Sequence, residues 1–254
     1  MDETILGVVT HRSMNALPRT LSAVILGGVV LAGVLAGCAA SAGTSPAPES
    51  TSGPDASDAS YAPRAAWLDA TSFVLKTWGD ACSPQIGDLV AGEQSLEIVL
   101  VAGPDQACAA VQTAHGLYLG LPAGFDSSRP VELTVTEVGG EKAELTLPAL
   151  ATGEIIPADR MSRQTPAAAW IDAHELAILT WGSSTCVPAS GTLETVNAKE
   201  GIIRLEPSAN EVCTMDLVPQ ITFVPAEGIQ DDAVLTLEGF VDADGAAAVV
   251  TAVR

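Results

Sequence analysis

The sequence predicts an all-β protein with two tandem, small, disulfide-bonded β-sandwich-like domains. Short runs of alternating apolar and polar residues, bounded by Gly, Pro or Asp, indicate β-strands, and no segment has the periodicity of an amphipathic helix. Segment 63–70 recurs at 166–173, which indicates an internal repeat. Four of the five cysteines fall into one pair per copy.

The clearest strand pattern lies at the end of each copy. Apolar residues of segment 131–136 alternate with polar ones, and the alternation resumes over 142–147 after Gly139-Gly140. This pattern predicts a two-residue β-hairpin with one face in solvent. Further β-rich runs bring the count to six or seven short strands per copy, as in a small β-sandwich: 73–78, 96–101, 116–121, 176–181, 201–205, 220–224, 233–241 and 246–253.

The internal repeat predicts the domain boundaries. Segments 63–70 and 77–79 match 166–173 and 180–182 at an offset of 103 residues. Further matches follow after small insertions: Cys82 with Cys186, Pro84 with Pro188, Gly87 with Gly191, Cys108 with Cys213, Pro122-Ala123 with Pro225-Ala226, and Val131 with Val234. We therefore expect a first β-domain, a linker and a second β-domain over residues 61–147, 148–163 and 164–254.

Tryptophan and glycine residues shared by the copies are expected to form the structural core of each domain: Trp67, Trp78, Gly79, Trp170, Trp181 and Gly182. In each copy a Trp-Gly pair precedes the first cysteine by a few residues. We expect that indole to pack on a disulfide. The alternative is an indole that stacks on a ligand.

The four cysteines of the repeats predict two disulfide bonds. Four cysteines permit three connectivities, and the equal positions in the two copies favour Cys82 with Cys108 and Cys186 with Cys213. An exported protein lies outside the reducing cytosol, so disulfides are expected there rather than free thiols. A metal site is disfavoured because neither pair has the spacing of metal ligands.

The N-terminus has the layout of a secretory signal peptide. An apolar stretch over 21–36 follows Arg12 and Arg19 and leads to a site of small residues. Translation is expected to start at Met1 or at Met14. A start at Met14 gives a signal segment without the acidic residues that follow Met1.

The apolar stretch ends in Leu35-Ala36-Gly37-Cys38, which resembles the lipobox of bacterial lipoproteins. The resemblance implies that residues 1–37 are removed and that a diacylglyceryl group is attached to the sulfur of Cys38. Acyl chains contribute about 0.8 kcal/mol per buried methylene, so they hold a domain on the membrane without a spanning helix. The alternative is a signal anchor, because the apolar stretch is about long enough to cross a bilayer.

Residues 39–60 are built mainly from Ala, Ser, Thr, Gly and Pro. This composition buries too little apolar surface to fold, so residues 38–60 are expected to be the lipidated cysteine and a disordered tether. Such a chain spans roughly 25 to 30 Å. The folded part is therefore expected on the extracytoplasmic face of the cell membrane. The lipobox and the tandem Trp-Gly-x-x-(x)-Cys-x-Pro units also resemble a group of actinobacterial lipoproteins, a resemblance that covers residues 21–254 and implies no activity.

Candidate catalytic residues are few. The mature chain retains His115 and His174, which occupy different places in the repeat and are expected to be surface histidines. Hydroxyl groups at 183–185 suggest a Ser-His-Asp triad with His174, but the equivalent loop at 79–81 has no hydroxyl residue. We expect no catalytic residue in either copy.

Candidate cation ligands are also weak. Asp231-Asp232 and the turn over 242–245 offer carboxylates for calcium. They lack the spaced oxygens of a twelve-residue calcium loop, and Asp-Gly is an ordinary hairpin turn. We therefore expect no metal and no cofactor.

Charge and architecture restrict the function. With 11 Lys+Arg against 31 Asp+Glu, the net charge of −20 would repel phosphates, which argues against nucleic-acid binding. A duplicated unit with little shared chemistry favours a non-catalytic module that binds a protein or an envelope polymer. The alternatives are an envelope hydrolase with a carboxylate-based site and a substrate-binding accessory lipoprotein.

Overall fold

A computed structural model describes residues 61–103, 107–151, 164–242 and 244–254. The expected signal peptide, Cys38, the tether and most of the linker lie outside these residues. The described part of the chain contains fourteen β-strands and no α-helix, which confirms the all-β class. Over that same part, no helix has the length and apolar character needed to cross a membrane.

The strands divide into two sets of seven, one in residues 61–151, called the first half, and one in residues 164–254, called the second half. The first half contains β1 Arg64–Asp69, β2 Ser72–Gly79, β3 Gln85–Ala91, β4 Ser95–Val101, β5 Thr113–Gly120, β6 Val131–Thr136 and β7 Lys142–Leu147. The second half contains β8 Ala167–Trp170, β9 Glu175–Gly182, β10 Ser190–Asn197, β11 Glu200–Glu206, β12 Val218–Pro225, β13 Val234–Val241 and β14 Ala247–Val253.

The order and direction of strand pairing are the same in the two halves. The first half has a three-stranded sheet β1-β2-β5 and a four-stranded sheet β3-β4-β6-β7, and the second half repeats these orders as β8-β9-β12 and β10-β11-β13-β14. In both halves the two central strands of the larger sheet are parallel to each other, β4 with β6 and β11 with β13, whereas the outer pairs of that sheet are antiparallel. A short parallel pairing of β14 with β8 joins the two sheets of the second half into one seven-stranded sheet.

The offset between equivalent residues changes along the chain. On the fifth strand of each half, His115 lies opposite Thr77 whereas Gln220 lies opposite Thr180, so the offset there is 105 residues. The match of Pro122-Ala123 with Pro225-Ala226 is therefore wrong by two residues. The match of Val131 with Val234 is wrong as well, because Val131 is buried and Val234 is 44 % exposed. Insertions in the loops change the offset between equivalent residues of the two halves. Small apolar residues on either side of these insertions align equally well at more than one offset, so the sequence does not show the change.

The last hairpin of each half contains a three-residue loop, whereas the pattern predicts a two-residue loop at Gly139-Gly140 in the first half and a turn over 242–245 in the second. The backbone N–H of Glu137 donates to the carbonyl of Glu141, and the N–H of Gly140 donates to Glu137. In the second half Asp242, Ala246 and Gly245 make the same pair of bonds. Gly140 and Gly245 have φ values of 85° and 81°, a conformation that favours glycine.

Two hydrophobic cores and one shared apolar layer hold the strands together. Trp67 lies in the core of the first half, and Trp170 lies in the core of the second half. A third cluster is formed by residues from both halves: Ala66, Leu68, Val74, Ala167, Ala169, Ile171, Ala177 and Leu179. Val253, near the end of β14, packs into the core of the first half. The described residues therefore belong to one compact unit.

Candidate functional site

Both expected disulfide bonds are present. Cys82 is bonded to Cys108 and Cys186 to Cys213, with Cα–Cα distances of 5.5 and 5.4 Å. Asp80 lies close to the first pair, so that three potential metal-ligand atoms fall within 4.8 Å of one another. Because the two sulfurs are bonded to each other, they do not offer the thiolates that a metal site needs.

His115 holds the disulfide loop of the first half and is not a surface histidine. It is 6 % exposed. Its Nε2 donates a hydrogen bond to the backbone carbonyl of Asp80 at 2.7 Å, and its Nδ1 lies 3.3 Å from the hydroxyl of Ser83. Because a carbonyl only accepts, Nε2 carries the proton. The prediction of a surface position was wrong, because His115 lies on β5 and its side chain is buried beneath the loop.

Gln220 takes the same place in the second half. It is also 6 % exposed, and its Nε2 donates to the carbonyl of Ser183 at 2.6 Å. A Cβ atom on Gly182 would lie 2.7 Å from Oε1 of Gln220, so the side chain of Gln220 occupies the space that this glycine leaves. The Trp-Gly pair thus allows a buried polar side chain to approach the loop.

The four tryptophans have two different environments. Trp67 and Trp170 are buried, whereas Trp78 and Trp181, which were expected in the structural core, are half-buried and line surface depressions. Trp78 borders a depression of about 270 Å³, here called the Trp78 cleft. The cleft is lined by Thr77, Trp78, Gly79, Asp80, Cys82, Pro84, Leu100, Ala102, Gly103, Cys108, Glu137, Val138 and Gly139.

A second depression, the first groove, lies on another side of Trp78 and also includes Glu137. It has a volume of about 410 Å³ and is bounded by the three residues before β1, by Trp78 and by the hairpin that joins β6 to β7. Tyr61 contacts Trp78 edge to face, with 5.1 Å between the ring centroids.

The second half has a depression at the equivalent position, the second groove. It has a volume of about 360 Å³ and is bounded by the three residues before β8, by Trp181 and by the last three residues of β13 with the following Asp242. The indole N–H of Trp181 lies 3.4 Å from the carbonyl of Thr165 on the rim. The two halves therefore present one groove each, in the same relation to the fold.

The orientation of Trp78 depends on a buried lysine between the halves. Lys76 is 4 % exposed, and its Nζ lies 4.8 Å from the ring centre of Trp78 and 4.5 Å from that of Phe223. The same ammonium group pairs with Glu175 of the second half at 2.5 Å. A second ion pair across the halves joins Arg64 to Asp172. The ammonium of Lys76 occupies one face of the Trp78 indole. The rest of this side chain borders the Trp78 cleft and the first groove.

Glu137, which lines the Trp78 cleft, has a carboxyl group with a raised pKa. Burial raises the pKa of its carboxyl, and the nearby charge of Glu141 raises it further. Both effects disfavour the ionised form of this carboxyl, and no lysine or arginine in the described part of the chain counters them. Such a carboxyl suits either a proton-transfer role or the binding of a positive group.

The hydroxyl cluster near the second disulfide does not form a triad with His174. The hydroxyl oxygens of Ser183 and Thr214 lie 2.7 Å apart, and the backbone N–H of Ser184 donates to Asp216 at 3.1 Å. Hydrogen bonds from the Ser184 side chain, then from Thr214, lower the pKa of Asp216 to about 2. His174 lies directly before β9 and Ser183 directly after it, so this extended strand of eight residues separates them by about 30 Å.

The acidic segments of the second half make turn contacts and ion pairs. Oδ1 of Asp242 accepts hydrogen bonds from the backbone N–H groups of Asp244 and Ala246, both at 2.9 Å. Asp232 lies 3.2 Å from Nζ of Lys199, and Asp231 pairs with Arg254. These carboxylates serve the hairpin and the surface rather than one converging set of calcium ligands.

Comparisons with protein-family models, with curated proteins and with solved structures found no match. The site is therefore defined by its own residues. Sequence reasoning identified Trp78 and the disulfide but missed Tyr61 and Glu137. The position of Glu137 directly after an alternating strand, with a second glutamate four residues later, was the signal that could have indicated it.

Proposed function

We propose that this chain is a lipid-anchored lipoprotein of the cell envelope that acts as a non-catalytic binding module. The lipobox that ends in Cys38 and the tether behind it support the anchor. Two disulfide bonds support an extracytoplasmic location, because such bonds persist in oxidising compartments. The folded part then stands on the outer face of the membrane, at the end of its tether.

The observation that carries the binding function is the pair of equivalent grooves beside Trp78 and Trp181. Concave sites with an aromatic wall and a few polar groups are the usual form of ligand sites. Two such sites in one compact unit can engage a repetitive polymer, or two segments of one protein, with a gain in avidity. The net charge of −20 argues against nucleic acid as the partner.

A hydrolase is the second candidate, and one observation favours it. Glu137 has a raised pKa and a second carboxyl group, Glu141, nearby on the same hairpin. Glycoside hydrolases use such a pair, in which the carboxyl of higher pKa acts as the acid. In this candidate, release of sugars from envelope polysaccharide by the purified chain is abolished by Glu137→Gln.

Two experiments test the proposal on intact cells. A Cys38→Ser chain should lose its acyl mass and its retention in the membrane fraction, whereas equal retention would favour the signal anchor. For binding, a photo-cross-linking amino acid is placed at Gln112 in the first groove or at Leu217 in the second. The control is Val249, which is 56 % exposed on β14 and borders neither groove.

Cross-links from residues 112 and 217 to the same envelope component, without one from residue 249, are expected. Equal labelling from all three positions would contradict binding in the grooves. So would labelling from residue 249 alone.

A further inference from the structure

The Trp78 cleft combines apolar walls with two acidic lining residues, Asp80 and Glu137. Leu100, which is 3 % exposed, contributes apolar surface together with Pro84 and the disulfide of Cys82. Glu137 lines the same cleft. An apolar wall beside a negative group suits a ligand that has a hydrocarbon stem and a positive end.

Glu137 has no cationic partner among the described residues. Burial and the negative charge of Glu141 act on its carboxyl, and no lysine or arginine offsets them. Lys142, five residues further along the chain, borders the first groove. A bound cation would offset both the lost hydration and the repulsion between the two glutamates.

We propose that the Trp78 cleft binds a primary alkylammonium group, with Glu137 as the counterion and the alkyl stem against the disulfide and Leu100. This proposal goes beyond the binding function proposed above, because the cleft is a separate depression that shares only Trp78 and Glu137 with the first groove. The source that we propose is a lysine side chain of a partner protein, which carries this group on a flexible four-carbon stem. The net charge of −20 attracts such a ligand to the surface before it reaches the cleft.

The second half shows why the site is specific to the first half. The residue that takes the place of Glu137 in the second hairpin is Asp242. Its carboxylate already accepts two backbone N–H groups, from Asp244 and Ala246. That carboxylate is engaged in the turn, so we place the alkylammonium site in the first half and not at the equivalent position of the second.

The contacts of Trp78 favour an alkylammonium over a neutral sugar. A sugar stacks on an open aromatic face and needs several polar partners. One face of Trp78 carries the ammonium of Lys76, 4.8 Å from the ring centre, and Pro84, Leu100, Ala102 and Val138 line the cleft. A hydrocarbon stem finds complementary surface there, whereas the hydroxyls of a sugar would meet three polar lining side chains, those of Thr77, Asp80 and Glu137.

The test is an NMR titration of the full chain, labelled with ¹⁵N and held in detergent micelles. The probes are N-acetyl-lysine methylamide, its neutral isostere N-acetyl-norleucine methylamide, and a neutral trisaccharide. The lysine probe should shift the indole N–H of Trp78 and the amides of Val138 and Gly139. The norleucine probe should bind at least tenfold more weakly, which is about 1.4 kcal/mol or more.

Variants locate the charge that matters. Glu137→Gln should lower the affinity for the lysine probe about tenfold, because the counterion is lost. Glu144→Gln makes the same charge change at an exposed position of β7 that borders neither the cleft nor the first groove, and it should leave the affinity unchanged. Equal loss in both variants would show a general charge effect and overturn the site.

The outcomes separate this proposal from the binding function. Equal affinity of the lysine and norleucine probes, or absence of shifts at the cleft, overturns the alkylammonium site. Shifts at the same amides with the trisaccharide alone replace the ammonium by a sugar. If the cross-links from residues 112 and 217 appear while the lysine probe fails, the binding module stands without this ligand chemistry.

Discussion

His115 and Gln220 make the same hydrogen bond in the two halves, although their side chains differ. Each lies beneath a disulfide loop and donates a side-chain N–H to the carbonyl of the residue that follows the Trp-Gly pair. The fold therefore requires a buried donor at this position rather than a histidine. Any side chain of similar length with an N–H donor can bond to this carbonyl. An imidazole and an amide therefore take equivalent places in the two halves.

His115→Gln should change the free energy of unfolding by less than about 1 kcal/mol, because glutamine supplies the same donor. His115→Leu removes the donor and should cost about 1 to 2 kcal/mol. Urea denaturation of the two variants measures the difference. Gln220→Leu is the matched change in the second half and should cost a similar amount. A His115→Gln variant as unstable as His115→Leu would show that the ring itself is required.

Gly116 is needed for contact between the halves. A Cβ atom on this residue would lie 2.4 Å from Cβ of Ile221 on β12. Gly116→Ala should therefore push the halves apart and lower the free energy of unfolding by about 1 to 3 kcal/mol. Gly120, on the same strand, has no atom within 4 Å of its Cβ position, so Gly120→Ala should be close to neutral. Thermal unfolding compares the two, and equal effects would contradict the contact between β5 and β12.

The ion pair of Lys76 with Glu175 should behave as a buried pair. Glu175→Gln leaves the charge of Lys76 enclosed without its partner and should cost about 2 to 3 kcal/mol. Lys76→Met replaces the cation by an apolar side chain and should cost less than about 1 kcal/mol. The double variant should recover most of the loss caused by Glu175→Gln, which a double-mutant cycle measures.

The exposed pair of Lys199 with Asp232 is the control for that cycle. Its side chains are 65 % and 68 % exposed. Lys199→Met should therefore change stability by no more than about 0.5 kcal/mol. Similar losses from the two pairs would mean that Lys76 is hydrated in solution.

Asp216 should remain ionised at pH 3. Its pKa is lowered to about 2, first by the hydrogen bond from the Ser184 side chain and then by that from Thr214. Because the folded-state pKa lies below the unfolded value, the carboxylate stabilises the fold above about pH 4, and this contribution is lost as the pH falls toward 2. A ¹³C NMR titration of the carboxyl should give the low midpoint. Ser184→Ala should raise it, and a wild-type midpoint near 3.8 would refute the assignment.

Local signals in the sequence determined the fold class, the last hairpin of each half and the disulfide pairs. Alternation with a period of two residues, as in segment 131–136, reports that one face of a strand is buried, whichever strand it pairs with. Gly140 and Gly245 mark the hairpins because their positive φ is a local requirement. The strands β1 and β8 gave no such signal, since β8 and the last four residues of β1 are buried on both faces and do not alternate.

Only the tertiary structure decided which side chains meet. The burial of His115, the two-residue shift of β12, the contact of Lys76 with Glu175 and the unpaired carboxyl of Glu137 all depend on residues far apart in the chain. A histidine or a lysine looks the same in the sequence whether solvent or another strand faces it. The free energy of placing a charge depends on its desolvation and its neighbours, and both are determined when the halves pack together.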